Sequence, residues 1–146
     1  MSNIIIGTAG HIDHGKTALI RALNGFEGDS TNEEKQRGIT IDLSFSNLNR
    51  AERNIAFIDV PGHEKLIKNM IAGAFGFDYV MLVVSAKESL MPQTIEHIEI
   101  LSLLGIKNLI LVITKKDLVD EKTLKEQEKK IVEFLNEFEF NIKFIK

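Results

Sequence analysis

The 146-residue chain has no cysteine, which removes disulfides and thiolate zinc sites and fits a reducing compartment. It also lacks a basic excess. Against 21 Asp and Glu stand 18 Lys and Arg, a formal charge of −3, whereas proteins that hold nucleic acid by bulk electrostatics carry a basic face. DNA is therefore not an expected partner, and any RNA would have to be gripped mostly by other surfaces. Long apolar runs are missing too: the longest, such as residues 79–84, are far too short to span a bilayer. The start, Met1-Ser2-Asn3, has no basic leader region. A soluble, cytoplasmic chain with no membrane partner is expected. There is no internal repeat, linker or low-complexity segment, and the length is one domain's worth, enough for a real core.

What is present alternates. Short apolar runs at residues 3–8, 41–48, 54–60, 79–85, 108–114 and 142–145 read as strands. Most are continuously apolar, as in a parallel sheet buried on both faces. The exception interleaves Ile41, Leu43 and Phe45 with Asp42, Ser44 and Ser46, which suits a half-exposed strand near an edge, joined to the next through Asn49-Arg50-Ala51-Glu52. Helical patterns fall at residues 16–24, 64–74, 92–104 and 121–138, the last with Leu124, Ile131, Leu135 and Phe138 on one stripe. The class is α/β.

The first apolar run is followed by Gly10-His11-Ile12-Asp13-His14-Gly15-Lys16-Thr17, which fits the phosphate-cradling template G-x-x-x-x-G-K-[ST]. Glycines at both ends let the backbone curl so that successive N–H groups face phosphate oxygens. Lys16 adds a mobile positive charge, Thr17 a hydroxyl for Mg²⁺, and the following helix its N-terminus. A nucleoside triphosphate is the implied ligand.

In open α/β sheets ligands bind beyond the carboxyl ends of the strands, and two more strands end in polar residues with a chemical use. Asp59, in Asp59-Val60-Pro61-Gly62-His63, is placed to steady Mg²⁺ through water, opposite Thr17. Pro61 lacks an N–H, while Gly62 allows its own to approach a γ-phosphate, a contact that exists only in the triphosphate state. In Thr114-Lys115-Lys116-Asp117, two carboxylate oxygens of Asp117 can accept both N1–H and the 2-amino group of guanine, whereas adenine offers an acceptor at N1. Lys115 would lay its aliphatic stem along the base. Alone, Lys-x-Asp is a common solvated turn; at the end of a buried strand in a chain with a P-loop it indicates a purine pocket.

The remaining histidines have blander uses. His11, Asp13 and His14 could be drawn as a metal cluster, but a P-loop backbone wraps phosphate. His97, on a helix with Ile95, Ile98 and Leu101, reads as a structural hydrogen-bonder. The Lys- and Glu-rich residues 125–130 read as a solvated helix face with i, i+4 pairs.

Together, Asp13 to Thr17, Arg37-Gly38-Ile39-Thr40-Ile41-Asp42, Asp59 to Glu64 and Met91-Pro92-Gln93-Thr94 resemble the GTP-binding domain of translational GTPases. Asp42, Thr8-Ala9, Pro61 to Lys65 and Thr114 lean toward the selenocysteine-specific elongation factors. The resemblance runs from about Ile4 to Phe138 and implies a Ras-like G domain: a P-loop NTPase with a mostly parallel six-stranded sheet and helices on both faces. It implies GTP and GDP as ligands and slow hydrolysis until a ribosome intervenes. Thr40, with Thr17 and Asp59, would hold Mg²⁺. Ile12 and Ile39 would form an apolar gate beside His63, the water-positioning residue, and a monovalent cation would sit near Asp13. Glu33-Glu34-Lys35 would be switch surface, with a tRNA contact as the alternative. Ribosome and selenocysteyl-tRNA are the implied partners of the longer protein; a general aminoacyl-tRNA carrier, an initiation factor, or a nucleotide-gated scaffold without turnover stay open.

Two departures from the family stand out. Thr114 replaces an Asn whose amide ties the base loop to the P-loop, which puts loop rigidity and nucleotide affinity in question. The chain also stops at Lys146, before a Ser-Ala loop that contacts guanine and a final helix. A truncated domain is expected, with the tRNA-binding barrels and RNA-reading modules absent, nucleotide binding weak, and self-association through a bare apolar face near Ile4, Ile6 and Ile142.

Overall fold

The computed structural model describes residues 2–11, 13–24, 44–50, 53–59 and 76–145. Six strands, β1 (Ser2–Ala9), β2 (Ser44–Arg50), β3 (Arg53–Asp59), β4 (Tyr79–Ser85), β5 (Asn108–Thr114) and β6 (Asn141–Ile145), form one sheet of order β2-β3-β1-β4-β5-β6. The β2–β3 pair is antiparallel; the other four pairs are parallel. The described helices are α1 (Lys16–Asn24), α2 (Pro92–Leu103) and α3 (Glu121–Leu135), with a 3₁₀ turn at Lys116–Leu118. The α/β class, the mostly parallel sheet and the edge position of β2 agree with expectation.

Alternation along β4 decides the layers. Val80, Leu82 and Val84 pack with Leu109, Leu111 and Ile113 of β5, with Ile98 and Leu101 of α2, and with Ile131 and Leu135 of α3. Met81 and Val83 face the other way, packing with Ile6, Phe57 and Val112 and with Ile20 of α1. Both faces of the sheet therefore carry helices. Each fully buried Leu or Ile contributes roughly 1.5–3 kcal/mol relative to exposure, so the central strands, buried on both sides, anchor everything attached to their ends.

Helix ends follow from local chemistry. Pro92 opens α2, where its missing N–H costs nothing. The helix closes at Gly105, whose φ of 76° is glycine's province. There Gly105 N–H donates to the Ser102 carbonyl and Ile106 N–H to that of Leu101, each at 3.1 Å. The Asp120 carboxylate caps α3 by accepting from Thr123 N–H at 2.7 Å, a bond that holds its pKa below the usual carboxylate value. Along α3, Lys125 pairs with Glu121 at 2.8 Å, Lys129 with Glu133 at 3.8 Å and Lys122 with Glu126 at 4.0 Å, so the Lys/Glu stretch is the solvated face expected.

Four expectations need correction. The last helix stops at Leu135 rather than Phe138; Phe138 instead lies in a turn, its ring edge-on to Phe134 and tilted against Phe140, with centroids 5.5 and 5.8 Å away. Helix α2 ends at Leu103, with Leu104 as its cap. Asn49 and Arg50 belong to β2, because the ladder continues to Arg50 opposite Arg53. Finally, the apolar group at Ile4, Ile6 and Ile142 is divided between the two faces. Ile4 and Ile6 lie on the α1 side, whereas Ile142, opposite Leu109 in a parallel ladder, packs into the cluster under α2 and α3. The helix expected at residues 64–74, the strand residues Ile41 to Leu43 and Val60, and Glu33-Glu34-Lys35 lie outside the described residues.

Candidate nucleotide-binding site

Parallel pairing brings the ends of β3, β1, β4 and β5 to one edge: Gly7 pairs with Ile58, Ala9 with Leu82, and Ser85 with Thr114. The loop after β1 therefore lies beside Asp59 on one side and the residues after Thr114 on the other. The Asp59 side chain and Ile12, Ile39, Thr40, Gly62 and His63 lie outside what the structure describes.

Among its described residues the loop has three positive φ angles, 135° at Gly10, 61° at Asp13 and 94° at Gly15. At Gly10 a Cβ would run into the Val83 carbonyl oxygen, so only glycine lets the chain leave β1 this close to β4. Helix α1 starts at once, Leu19 N–H reaching the Gly15 carbonyl at 2.9 Å, and its first turn holds no acidic residue. The positive end of the helix thus faces the loop without a carboxylate of its own. Thr17 is half-buried in that turn. Lys16 is only 7% exposed. Its Nζ donates to the carbonyls of Gly10 at 3.2 Å and His11 at 2.9 Å, so the ammonium is held across the loop. This curled backbone, helix N-terminus and tethered cation fit the demands of a polyphosphate.

The loop is clamped from outside by contacts that the motif does not announce. Thr114 Oγ1 donates to the His14 carbonyl at 2.7 Å, and Ala86 N–H reaches the Thr114 carbonyl at 2.9 Å. A hydroxyl thus makes the tie from base loop to P-loop that the missing amide put in question. His14 is fully buried, and its Nδ1 accepts from Ser85 N–H at 3.3 Å. Nε2 lies 3.1 Å from Glu88 Oε2, yet at an angle short of a hydrogen bond. Burial, then the neighbouring His11, outweighs the attraction of Glu88 and pushes the His14 pKa down to about 4. The contact is accordingly between neutral imidazole and carboxylate, not a salt bridge. His11, half-buried beside it, is shifted down by burial and by Lys16.

Glu88 also reaches Lys115, with Nζ at 3.9 Å and both side chains partly exposed, so one carboxylate links both loops. Lys115 adopts φ 55° and ψ 31°, which reverses the chain into the 3₁₀ turn and leaves Asp117 exposed. Gly10, His11, Asp13, His14, Gly15, Lys16, Thr17, Thr114, Lys115 and Asp117 are thus gathered along one edge of the sheet. Glu88 and His97 were missed as parts of this edge. The only available signal was polar residues following an apolar strand, and a histidine on an apolar helix face.

A family model, the elongation factor Tu GTP-binding domain, matches residues 1–146. The chain belongs to this family. A selenocysteine-specific elongation factor of Desulfomicrobium baculatum is 55% identical over 122 residues, covering 83% of this chain and 19% of that protein. A crystal structure of a bacterial selenocysteine-specific elongation factor superimposes with a TM-score of 0.94 at 44% identity, covering 100% of this chain and 25% of the other. Elongation factor SelB of Methanococcus maripaludis, solved with the GTP analogue GPPNHP, gives 0.82 at 34% identity, covering 99% of this chain and 30% of that one. The chain thus spans between about a fifth and a third of the length of these relatives. As an elongation factor Tu-type G domain it has the P-loop NTPase fold, with GTP and GDP as its ligand class. No helix among the described residues is long and apolar enough to cross a membrane.

Proposed function

We propose that this chain is the GTP-binding and GTP-hydrolysing switch of an elongation factor that delivers selenocysteyl-tRNA to the ribosome. The observation that carries the proposal is the joining of the two loops: the phosphate loop at Gly10 to Thr17 and the purine loop at Lys115 to Asp117, tied by the Thr114 hydroxyl to the His14 carbonyl. The selenocysteine branch rests on the relatives reported above, which carry that name or SelB.

In this proposal the N–H groups between Gly10 and Thr17 and the Lys16 ammonium take the phosphates, while Asp117 accepts from guanine and Lys115 covers its face. Thr17, Thr40 and Asp59 would hold Mg²⁺, which would supply charge neutralisation at the phosphate oxygens. Asp13 would face a monovalent cation. Gly62 senses the γ-phosphate. Ile12 and Ile39 keep His63 from the in-line water until the ribosome moves them, so the switch stays loaded in transit.

Single-turnover phosphate release, with and without ribosomes, tests the proposal in the longer protein that contains this chain. Ribosomes are expected to accelerate the wild type, and His63→Ala to remove roughly 10²–10⁴-fold of the stimulated rate, with GTP affinity little changed. Equal rates in wild type and variant would remove His63 from the chemistry; no turnover in either would leave a scaffold. Retention of an ordinary aminoacyl-tRNA in place of selenocysteyl-tRNA would move the protein to another branch.

A further inference from the structure

Gly10 is held at both ends of its residue. Its carbonyl accepts from Lys16 Nζ at 3.2 Å, and its N–H donates to His97 Nδ1 at 3.1 Å, a contact between residues 87 apart in the chain. His97 projects from α2 and is fully buried. An imidazole that accepts at Nδ1 keeps its proton at Nε2, and that nitrogen is buried with no hydrogen-bond partner among the described residues. What His97 supplies is an acceptor aimed at the first peptide of the loop.

That peptide opens the loop. Gly10 has a φ of 135° and no side chain to restrict it, so its orientation must be imposed from outside. With N–H turned to α2 and C=O turned to Lys16, the peptides on either side of Gly10 are fixed, and so is the position of the ammonium. We infer that His97 is a positioning residue for nucleotide binding, acting through the Gly10 backbone to hold the phosphate loop in its binding form. It rests on the loop being a nucleotide site. Burial, then Lys16 and His11, keep the ring neutral by pushing its pKa down to about 4, as an acceptor at Nδ1 requires.

Two substitutions test this. His97→Asn can keep an acceptor oxygen near the Nδ1 position; His97→Leu has similar size and none. Fluorescent GDP titrations with Mg²⁺ are expected to give Leu a dissociation constant roughly tenfold or more above wild type, and Asn one within about threefold. Leu equal to wild type, or Asn as weak as Leu while both melt at similar temperatures, would overturn the inference. A measurement on the wild type covers the case in which Leu fails to fold: a trans-hydrogen-bond nitrogen–nitrogen coupling between the Gly10 amide and His97 Nδ1. Its absence would overturn the inference by itself. If the coupling is present but the wild type binds no guanine nucleotide, the nucleotide site fails first and the positioning role with it.

Discussion

Asp117→Asn is expected to weaken GDP binding by roughly 10⁴-fold and to move the chain's preference to xanthine nucleotides. The carboxylate offers two acceptors to the two donors of guanine. An asparagine replaces one acceptor by an N–H₂, which then faces the 2-amino group, donor against donor, at a desolvated position. Xanthine carries a carbonyl there and restores the pairing. Asp117 is exposed in the 3₁₀ turn and makes no described hydrogen bond, so the substitution should leave folding intact and act on ligand choice. Displacement of a fluorescent guanine nucleotide by GDP, XDP and ADP checks it. A variant that still prefers GDP would take Asp117 out of the base pocket.

Acid is expected to weaken the fold as the pH falls below 6.5. His97 has a pKa of about 4 against an ordinary 6.5, through burial first and then Lys16 and His11. His14 is displaced to a similar value, by burial and by His11, Lys16 and Lys115, with Glu88 opposing. In both cases the folded state disfavours the proton that the unfolded chain accepts. Stability is therefore complete above pH 6.5 and is lost as the pH falls from there through about 4. For His97 alone the loss between pH 7.5 and 4.5 is on the order of 2–3 kcal/mol, a large fraction of a typical domain's roughly 5–15 kcal/mol. Urea unfolding at the two pH values measures the loss, and His97→Asn should flatten it by that amount. An unchanged slope in the variant would place the acid sensitivity elsewhere.

How legible this was depended on the range over which each feature is determined. Strands β4 and β5 match the expected limits residue for residue, because a continuous apolar run buried on both faces leaves no freedom at its ends. The hairpin was drawn too wide because Asn49 and Arg50 pair through backbone groups on an edge, where side-chain polarity says little. Ile142 was assigned to the wrong face since parallel register, not apolarity, sets the side on which it packs. The phosphate loop and the purine loop were readable because each is a local pattern with its own chemistry. Of their clamps only the tie at residue 114 was foreseen, through the family resemblance, and not its partner atom. Thr114 to His14 spans 100 residues, Gly10 to His97 spans 87 and Ser85 to His14 spans 71, and only the stacking order of the sheet brings these together. His97 was correctly taken as a structural hydrogen-bonder, but nothing in the sequence named Gly10 as its partner.

The central claim is that one ligand occupies both loops, and backbone amide NMR of the wild-type chain tests it most directly. GDP with Mg²⁺ is expected to shift the amides of Gly10 to Thr17 together with those of Lys115 to Asp117, while pyrophosphate shifts the first group alone and ADP leaves the second unmoved. Should GDP shift one group and leave the other in place, or ADP reproduce the full pattern, the two loops would not form a guanine nucleotide site.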